Sequence, residues 1–356
     1  MRTPEMNRQG HKTFTEQRFR ERLLAWYEAH ARDLPWRKSR DPYRVWVSEI
    51  MLQQTRVAAV IEHYHEFLRR FPTVGKLAAA REASVLAAWS GLGYYRRARM
   101  LHQAAKVVVR KRGGEFPATV EEWRELPGIG RYTAAAIASI ALGEPVAVVD
   151  GNVERVLQRV AGQRLTGEEL WQAAERALDR ERPGDFNQAM MELGATVCMP
   201  RAPACLTCPV VELCATRGEM AGAAKAGRQK RREVHYALDC RDGAVFLVQR
   251  ARDARLMAGM WELPEVAAPV PHVREKQVPR VARNDKKSRN DKKKESDSAL
   301  LFTVRHSITV TDYTVRVWGR AAPDEGAGKW IASHRLRRLA MTGLARKILR
   351  RAGLLR

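Results

Sequence analysis

Residues 126–133 read Leu-Pro-Gly-Ile-Gly-Arg-Tyr-Thr and separate two stretches of helical periodicity. The stretch 119–125 predicts a helix that ends at the Pro-Gly pair, and an Ala-rich helix follows the turn. Glycine lets the backbone approach a polyanion closely, and the second helix begins with free N–H groups. The string therefore predicts a helix–hairpin–helix that anchors phosphate through Gly128 and Gly130, in preference to a simple joint between two helices.

The sequence on both sides of this hairpin is helical. Apolar residues recur at three- and four-residue spacing in the runs 42–54, 56–71, 82–90, 96–112, 133–142 and 168–181. Pro and Gly residues separate these runs. We therefore predict an all-α unit over residues 14–216, with a six-helix part at about 35–133 and a second part formed by the N-terminal helix and about 134–216.

The composition changes beyond residue 216. Residues 217–233 form a linker of Gly, Ala, Lys and Arg with little apolar surface to bury. Strand-like stretches follow at 234–238, 244–249, 301–304 and 309–318, and a final helix is predicted at about 335–352. The low-complexity basic tract at 272–298 predicts a disordered insertion. A smaller α+β unit over 234–356 is therefore expected.

The chain is strongly basic, with 64 Lys and Arg against 40 Asp and Glu and a formal net charge of +24. Such a charge concentrates polyanions and favours a nucleic-acid partner, although a general bias towards Arg is the alternative. The sequence contains no long apolar stretch typical of a membrane span, and residues 1–14 lack a secretory signal. We expect a cytoplasmic, nucleoid-associated protein.

Four of the five cysteines lie in one short segment, with the spacing Cys-x6-Cys-x2-Cys-x5-Cys: Cys198, Cys205, Cys208 and Cys214. In a chain expected to be cytoplasmic, this distribution argues against disulfides and for a ligand set. Four thiolates in one loop can enclose a tetrahedral ion or a cubane cluster. The spacing alone leaves zinc and iron–sulfur equally open.

Two carboxyl groups stand in unlike surroundings. Glu49 lies in a helical run whose residues one turn away are apolar or uncharged, which predicts a raised pKa and a role as general acid. A solvent-exposed glutamate is the alternative. Asp150 follows the apolar run 146–149 at a helix start, where an ordinary N-cap is the alternative. Such a pair suits glycosidic chemistry, because one group protonates the leaving group while the other stabilises positive charge on the sugar.

The ordered motifs from about Leu34 to Cys214 resemble the helix–hairpin–helix glycosylase superfamily of endonuclease III, and within it the MutY-type adenine glycosylases. The matching strings are Leu-Pro-Trp-Arg, Ser-Glu-Ile-Met-Leu-Gln-Gln-Thr, Gly-Leu-Gly-Tyr-Tyr, Leu-Pro-Gly-Ile-Gly, Val-Asp-Gly-Asn-Val, Phe-Asn-Gln-Ala-Met-Met-Glu-Leu-Gly and the cysteine loop. The resemblance implies a base-excision enzyme that acts on duplex DNA and removes adenine mispaired with 8-oxoguanine or guanine. We expect a monomer, because one flipped base needs one pocket.

The resemblance also implies the role of each site residue. The four cysteines would hold a [4Fe–4S] cluster, Glu49 would protonate adenine and then activate water, and Asp150 would stabilise the sugar cation with help from Tyr132. Endonuclease III-like lyases have a Schiff-base lysine in place of Tyr132, so a monofunctional glycosylase is implied. Two further sets are implied: a base pocket of Trp36, Arg37, Leu52, Val57 and Glu192, and the residues Gln54 and Tyr94 that fill the space left by a flipped base.

Residues 234–356 resemble the Nudix-like C-terminal domain that reads 8-oxoguanine in this family, most clearly at 259–264. The acidic metal-binding helix of Nudix hydrolases is missing from the sequence, so hydrolase activity is not expected there. The lesion-reading loop departs from the usual Phe-Ser-His, because this chain has Ile308-Thr309-Val310. Thr309 supplies a hydroxyl that can contact DNA, but Val310 supplies no imidazole, and selectivity for 8-oxoguanine stays open.

Two other functions compete with this interpretation. A glycosylase for mismatched thymine or oxidised pyrimidines could use the same scaffold, but Tyr132 and the match to a purine pocket disfavour it. A noncatalytic iron–sulfur protein could bind DNA lesions without releasing a base. The presence of both Glu49 and Asp150 argues against that second function.

Overall fold

A computed structural model describes residues 8–220, 230–254, 256–268, 299–308, 311–322 and 328–355. The chain divides into two units, Met1–Lys225 and Ala226–Arg356. The first is all-α and the second combines two sheets with a helix, so the predicted fold class is confirmed. The predicted insertion at 272–298 and the predicted DNA contact Thr309 lie outside the described residues.

The first unit is built from helices joined by short turns: α1 (Arg8–His30), α2 (Pro42–Leu52), α3 (Val57–Arg70), α4 (Val74–Ala79), α5 (Glu82–Trp89), α6 (Arg96–Arg112), α7 (Val120–Arg124), α8 (Arg131–Ile137), α9 (Gly151–Ala161), α10 (Gly167–Ala177) and α11 (Pro183–Thr196). A π-helical turn, Ala138–Leu142, extends α8. Each of the six predicted runs coincides with a helix. Helix α10 ends before the predicted 181, because Leu178 leaves the helical conformation and is buried in the core.

Local sequence explains where several helices begin. The Asp41 side chain caps α2 by accepting a hydrogen bond from the Arg44 N–H, and Pro42 occupies the first helical position. Thr119 caps α7 by accepting from the Glu122 N–H, and α10 begins with a capping box. No described helix is long and apolar enough to cross a bilayer.

Aromatic packing fixes the hairpin helices against α2. The rings of Trp46 on α2 and Trp123 on α7 meet edge to face at 5.7 Å, and Phe116 stacks on Trp123 at 5.9 Å. A second core cluster lies among α1, α9, α10 and α11 and includes Leu23 and Phe186. Each fully buried aromatic side chain contributes about 1.5–3 kcal/mol of apolar transfer energy, so these contacts hold the elements that carry the site.

The second unit contains strands β1 (Lys230–Leu238), β2 (Cys240–Arg241), β3 (Ala244–Gln249), β4 (Trp261–Glu262), β5 (Glu265–Val266), β6 (Ala299–Ile308), β7 (Thr311–Gly319) and β8 (Gly328–Ala332), with helix α12 (Gly343–Arg351). One sheet has the order β5-β1-β7-β6, with β1 and β7 parallel. The other has the order β2-β3-β4, and β8 also pairs with β3. Apolar residues from both sheets pack against α12.

Two predicted boundaries in this unit were wrong. The predicted linker 217–233 overlaps β1, which begins at Lys230 because its first residues pair with β7. The final helix begins at Gly343 instead of 335. A short 3-10 helix occupies Ser333–Arg338, and the chain then turns so that Met341 bridges to Trp261 and is buried before α12 begins.

Candidate active site

Glu49 lies in the second half of α2 and is buried, with only 5% of its surface exposed. Burial raises its pKa to about 7, a hydrogen bond from Tyr132 opposes the rise, Asp150 adds to it, and Arg37 lowers it. The alternative of a solvent-exposed glutamate is therefore wrong. A carboxyl group with this pKa holds a proton near neutral pH and can act as a general acid.

Tyr132, on the first turn of α8, points directly at this carboxyl group. Its Oη atom donates a hydrogen bond to Glu49 Oε2 at 2.8 Å and lies 3.5 Å from Met191 Sδ. Burial and the neighbouring carboxylates Glu49 and Asp150 raise the pKa of the Tyr132 phenol well above its ordinary value. The hydroxyl therefore stays protonated and acts as a hydrogen-bond donor.

The hairpin geometry sets the position of Tyr132. Gly128 has φ +80°, and a Cβ atom there would lie 2.4 Å from Met100 Cβ, so the turn admits only glycine. Gln53 Nε2 also donates to Thr133 Oγ1 at 3.0 Å and ties the end of α2 to α8. Gly128 thus permits close packing against Met100, in addition to the approach to phosphate that was predicted for it.

Asp150 is the N-cap of α9, so the alternative interpretation of this residue as a helix cap is confirmed. Its Oδ1 accepts hydrogen bonds from the N–H groups of Asn152 at 2.9 Å and Val153 at 2.8 Å, and its Oδ2 accepts from Asn152 Nδ2 at 2.9 Å. These donors fix both carboxylate oxygens. Because Asp150 also raises the pKa of Glu49, the structure brings the two carboxyl groups into one electrostatic environment.

Asn187 binds the segment that leads into Asp150, a role that was not predicted. Its Oδ1 accepts from the Val148 N–H at 3.1 Å, while Nδ2 donates to Val146 O and Ser139 Oγ, both at 2.9 Å. The residue is buried on α11. These bonds satisfy buried polar groups of the segment that leads into Asp150.

Glu192 is almost fully buried, with 1% exposure, and joins two arginines in the predicted base pocket. Arg32 donates to both Glu192 oxygens at 2.7 Å, and Arg37 Nη2 donates to Oε2 at 2.8 Å. Burial alone would raise the pKa of Glu192, but the hydrogen bonds and charges of the two arginines outweigh it and lower that pKa to about 2. The carboxylate stays ionised, and Arg32 is a pocket residue that the sequence did not reveal.

The other predicted pocket residues lie around the ends of neighbouring helices. Trp36 is buried in the turn that precedes α2, and its ring meets Tyr64 edge to face at 5.6 Å. Leu52 ends α2 and Val57 begins α3, and both are half-buried. Their half-exposed apolar surfaces are suited to contact with a planar base.

Gln54 and Tyr94 lie on exposed turns and share an unusual backbone conformation. Gln54 has φ +55° and Tyr94 has φ +47°, both in the left-handed region that non-glycine residues rarely adopt. Tyr94 is 46% exposed, which is high for so large an apolar side chain. Arg97, a residue that sequence reasoning missed, donates hydrogen bonds to carbonyl groups on both turns.

The four cysteines that the spacing singled out line one pocket, together with Arg159, Val197, Pro203, Val211, Arg217 and Gly218. All five cysteines of the chain are free thiols. Arg159 donates to Cys198 Sγ at 3.2 Å, and the Arg217 N–H donates to Cys214 Sγ at 3.4 Å. Such donors stabilise negative charge on sulfur.

Helix α9 connects this pocket with the Asp150 cap. Arg155 donates to Asn152 Oδ1 at 2.8 Å, to Gly194 O at 2.7 Å and to Cys198 O at 2.7 Å. The same Asn152 side chain donates to Asp150. Sequence reasoning missed Arg155, because its partners belong to two other segments of the chain.

Comparison with known proteins identifies the scaffold. Residues 47–178 match the family description "HhH-GPD superfamily base excision DNA repair protein". A solved thermostable thymine-DNA glycosylase is 30% identical, with a TM-score of 0.55, and the alignment covers 57% of this chain and 97% of that one. This chain belongs to the HhH-GPD superfamily. A trapped endonuclease III–DNA covalent intermediate is also similar to this HhH-GPD protein, at 25% identity and a TM-score of 0.51, covering 58% of this chain and 96% of that one.

Curated relatives of the HhH-GPD protein include adenine DNA glycosylases. The Homo sapiens protein is 40% identical over 312 residues, covering 70% of this chain and 57% of that protein. The Mus musculus protein is 42% identical over 312 residues, covering 70% and 60%. The chain thus spans somewhat more than half the length of these relatives. The predicted membership of the endonuclease III superfamily is confirmed, and the predicted MutY-type resemblance agrees with these relatives.

Proposed function

We propose that this HhH-GPD protein is a monofunctional DNA glycosylase that hydrolyses the N-glycosidic bond of adenine mispaired with 8-oxoguanine or guanine. The hydrogen bond of 2.8 Å between Tyr132 Oη and the buried Glu49 carboxyl group carries the proposal. This bond joins a buried carboxyl group with a pKa of about 7 to a residue that has no amine for Schiff-base chemistry, which supports a role for Glu49 as general acid. The similarity to adenine DNA glycosylases at 40% identity supports adenine as the base.

Glu49 supplies the proton that the leaving base needs. Transfer of its proton to a ring nitrogen of the flipped adenine lets the electron pair of the C1′–N9 bond depart with the base. The resulting Glu49 carboxylate then accepts a proton from water as the water oxygen bonds to C1′. The products are free adenine and an abasic site, and Glu49 regains its proton in the same cycle.

Asp150 and Tyr132 stabilise the intermediate stage of this reaction. Positive charge develops on the sugar as the bond breaks, and the fixed Asp150 carboxylate offers a negative charge to it. The Tyr132 hydroxyl stays neutral and donates to Glu49. Because a phenol forms no imine with an abasic sugar, the DNA strand is left uncut and the activity is monofunctional.

The ionised Glu192 and its two arginines suit recognition of a purine. A carboxylate held at a pKa of about 2 accepts hydrogen bonds, as from the exocyclic amine of adenine, and Arg37 offers donors beside it. Trp36, Leu52 and Val57 supply apolar contact surface. The pocket therefore has the donor, acceptor and apolar groups that an extruded adenine requires.

Contacts with duplex DNA are assigned to four residues. Gln54 and Tyr94 would insert into the stack and fill the space that the extruded base leaves. Gly128 and Gly130 would bring the hairpin backbone to a phosphate without reading sequence. The net charge of +24 supports a polyanionic partner.

The four cysteines are proposed to hold a [4Fe–4S] cluster. They share one pocket, yet no group of three or more His, Cys, Asp or Glu side chains in the described ranges is placed to hold a single metal ion. Four thiols that line one pocket can hold such a cluster, and the resemblance to the endonuclease III superfamily favours it over zinc. When bound, the cluster would cross-link the loop 198–214, and no step of base excision depends on it.

The decisive experiment measures single-turnover base release from 8-oxoguanine:A, G:A, T:A and G:T duplexes. Fast adenine release from the first, slower release from the second and none from the third would support the proposal. The similarity to a thymine-DNA glycosylase makes G:T the important alternative substrate. Thymine release from G:T, or binding without release of any base, would reject adenine as the substrate.

A further inference from the structure

The guanidinium group of Arg97 lies between two turns, which we call the probe turns: residues 53–55, after α2, and residues 92–94, before α6. Its two terminal nitrogens bind both turns and the last turn of α2. Nη1 and Nη2 donate to the carbonyl groups of Ile50 at 2.8 Å, Met51 at 3.0 Å, Gln53, Leu92 at 3.3 Å and Gly93 at 3.3 Å, and to Thr55 Oγ1 at 3.1 Å.

This environment is unusual for an arginine. Burial lowers the pKa of Arg97 to about 10, and no carboxylate contributes to that pKa. Its Nε atom is buried without a hydrogen-bond partner. The cation also lies over the rings of Trp89 at 5.5 Å and Tyr94 at 5.4 Å. A desolvated charge whose acceptors are neutral is costly, which indicates that the arrangement serves a purpose beyond packing.

The strained residues of the probe turns explain that purpose. Gln54 and Tyr94 each have positive φ, and the carbonyl groups that precede them, of Gln53 and Gly93, both accept hydrogen bonds from Arg97. Non-glycine residues persist in the left-handed region only where surrounding contacts fix them. One side chain therefore fixes both turns from the protein side and leaves Gln54 and Tyr94 exposed.

We propose that Arg97 is a positioning residue that sets the spacing between the probe turns, so that Gln54 and Tyr94 enter the DNA stack together. This inference rests on the proposed function, which assigns the two side chains to the gap left by the flipped adenine. A planar guanidinium with five donors can reach carbonyl groups on two segments at once, whereas lysine offers a single nitrogen. Preorganised turns remove the need to order two loops during base extrusion.

The test compares Arg97→Ala and Arg97→Lys with Arg96→Ala. Each variant is made in the complete 356-residue chain and is used as purified, without removal of bound metal. Arg96 is the matched control, because it is adjacent, exposed and equal in charge. The amplitude of the product burst gives the fraction of active protein. The single-turnover rate constant is then measured on the 8-oxoguanine:A duplex. Fluorescence of 2-aminopurine placed beside the adenine reports unstacking.

Arg97→Ala is expected to lower both the rate constant per active site and the fluorescence change, the rate by about tenfold to a hundredfold. Arg97→Lys should fall between it and the wild type, and Arg96→Ala should match the wild type. The pH dependence of the rate should be unchanged, because Arg97 is not among the groups that shift the pKa of Glu49. In a Gln54→Ala/Tyr94→Ala background, Arg97→Ala should cause little further loss.

Three outcomes would overturn the inference. A reduced number of active sites with a normal rate constant and normal fluorescence would mean that Arg97 only supports folding. An equal loss in Arg96→Ala would mean that positive charge near the DNA is sufficient. A full additional loss in the double-variant background would mean that Arg97 acts apart from the two side chains. If the wild type released no adenine, the proposed function would fail, while fluorescence on binding would still test insertion.

Discussion

The Tyr132 hydroxyl donates a 2.8 Å hydrogen bond to Glu49 Oε2 and thereby joins the helix after the hairpin to the buried face of α2. Burial raises the pKa of Glu49, and the hydrogen bond from Tyr132 lowers it. The resulting pKa is about 7. The packing of the hairpin thus controls the acidity of the proposed general acid.

Replacing Glu49 with Gln should abolish base release while preserving DNA binding. Glutamine keeps the shape and a hydrogen-bond acceptor but cannot deliver the proton, so the single-turnover rate should fall by about 10²–10⁴-fold. Affinity measured by fluorescence anisotropy should stay within about threefold. Glu62→Gln, at an exposed position on α3, is the matched control and should release adenine normally. Near-normal release by Glu49→Gln would disprove the acid assignment.

Removing the hydroxyl of Tyr132 should shift the pH dependence of the reaction upwards. In the wild type the rate constant should be halved near pH 7 and decline above it, because the reaction requires protonated Glu49 with a pKa of about 7. Tyr132→Phe loses the hydrogen bond that lowers this pKa, so Glu49 stays protonated to higher pH. The measurement is the single-turnover rate between pH 5 and about pH 9. A midpoint that stayed fixed or moved down would contradict the electrostatic account.

Arg37→Ala should destabilise the protein far more than Lys38→Ala. Arg37 is 14% exposed and pairs with the buried Glu192, whereas Lys38 is 65% exposed and pairs with the exposed Asp33. Removing one partner of a buried pair costs about 3–5 kcal/mol, although Arg32 still contacts Glu192 and should reduce the loss to about 2 kcal/mol. The exposed pair should contribute less than about 1 kcal/mol. Urea unfolding of both variants checks this, and equal small losses would show that Glu192 needs only Arg32.

The two hairpin glycines should respond differently to alanine. Gly128 has φ +80° and no space for a Cβ atom beside Met100, so Gly128→Ala should cost about 2–5 kcal/mol of stability. Gly130 caps α8 with φ −95° and has open space around it, so Gly130→Ala should fold normally. If the backbone at Gly130 approaches a phosphate, that variant should nevertheless bind duplex DNA more weakly. Thermal unfolding and anisotropy separate the two effects, and normal binding by Gly130→Ala would remove it from the DNA contacts.

Metal analysis should distinguish a zinc ion from an iron–sulfur cluster at the four cysteines. The purified protein should contain about four iron atoms and four acid-labile sulfides per chain, and little zinc. Cys208→Ser should lose iron and unfold at a lower temperature, because the thiol lines the shared pocket. Cys240→Ser, in the other unit, should retain both iron and stability. One zinc per chain, with little iron, would reject the cluster.

Local sequence patterns were sufficient for the helices, for the burial of Glu49 and for the cap position of Asp150. The apolar neighbours of Glu49 along α2 predicted its burial, and Asp150 followed an apolar run at a helix start. These signals reside within a single turn of chain. The six helical runs were predictable for the same reason, since a 3.6-residue period is a property of the segment itself.

Residues that act across the chain could not be predicted in this way. Arg32 meets Glu192 from 160 positions away, and Arg97 meets the carbonyl group of Ile50 from 47 positions away. An arginine in a basic chain with 64 Lys and Arg gives no sign of such a partner. The start of β1 was missed similarly, because Lys230 resembles a linker residue until its pairing with Thr311 is known.

The cap geometry of Asp150 separates folding from chemistry in one residue. Both backbone N–H groups of the cap bind Oδ1, which asparagine also possesses, and asparagine is as good an N-cap as aspartate. Asp150→Asn would therefore keep both backbone hydrogen bonds of the cap, its amide nitrogen would face the donor Asn152 Nδ2, and the variant would lack the charge proposed to lie opposite the sugar. Under the proposed function, such a protein would still occupy mismatches and would shield them from the unsubstituted protein.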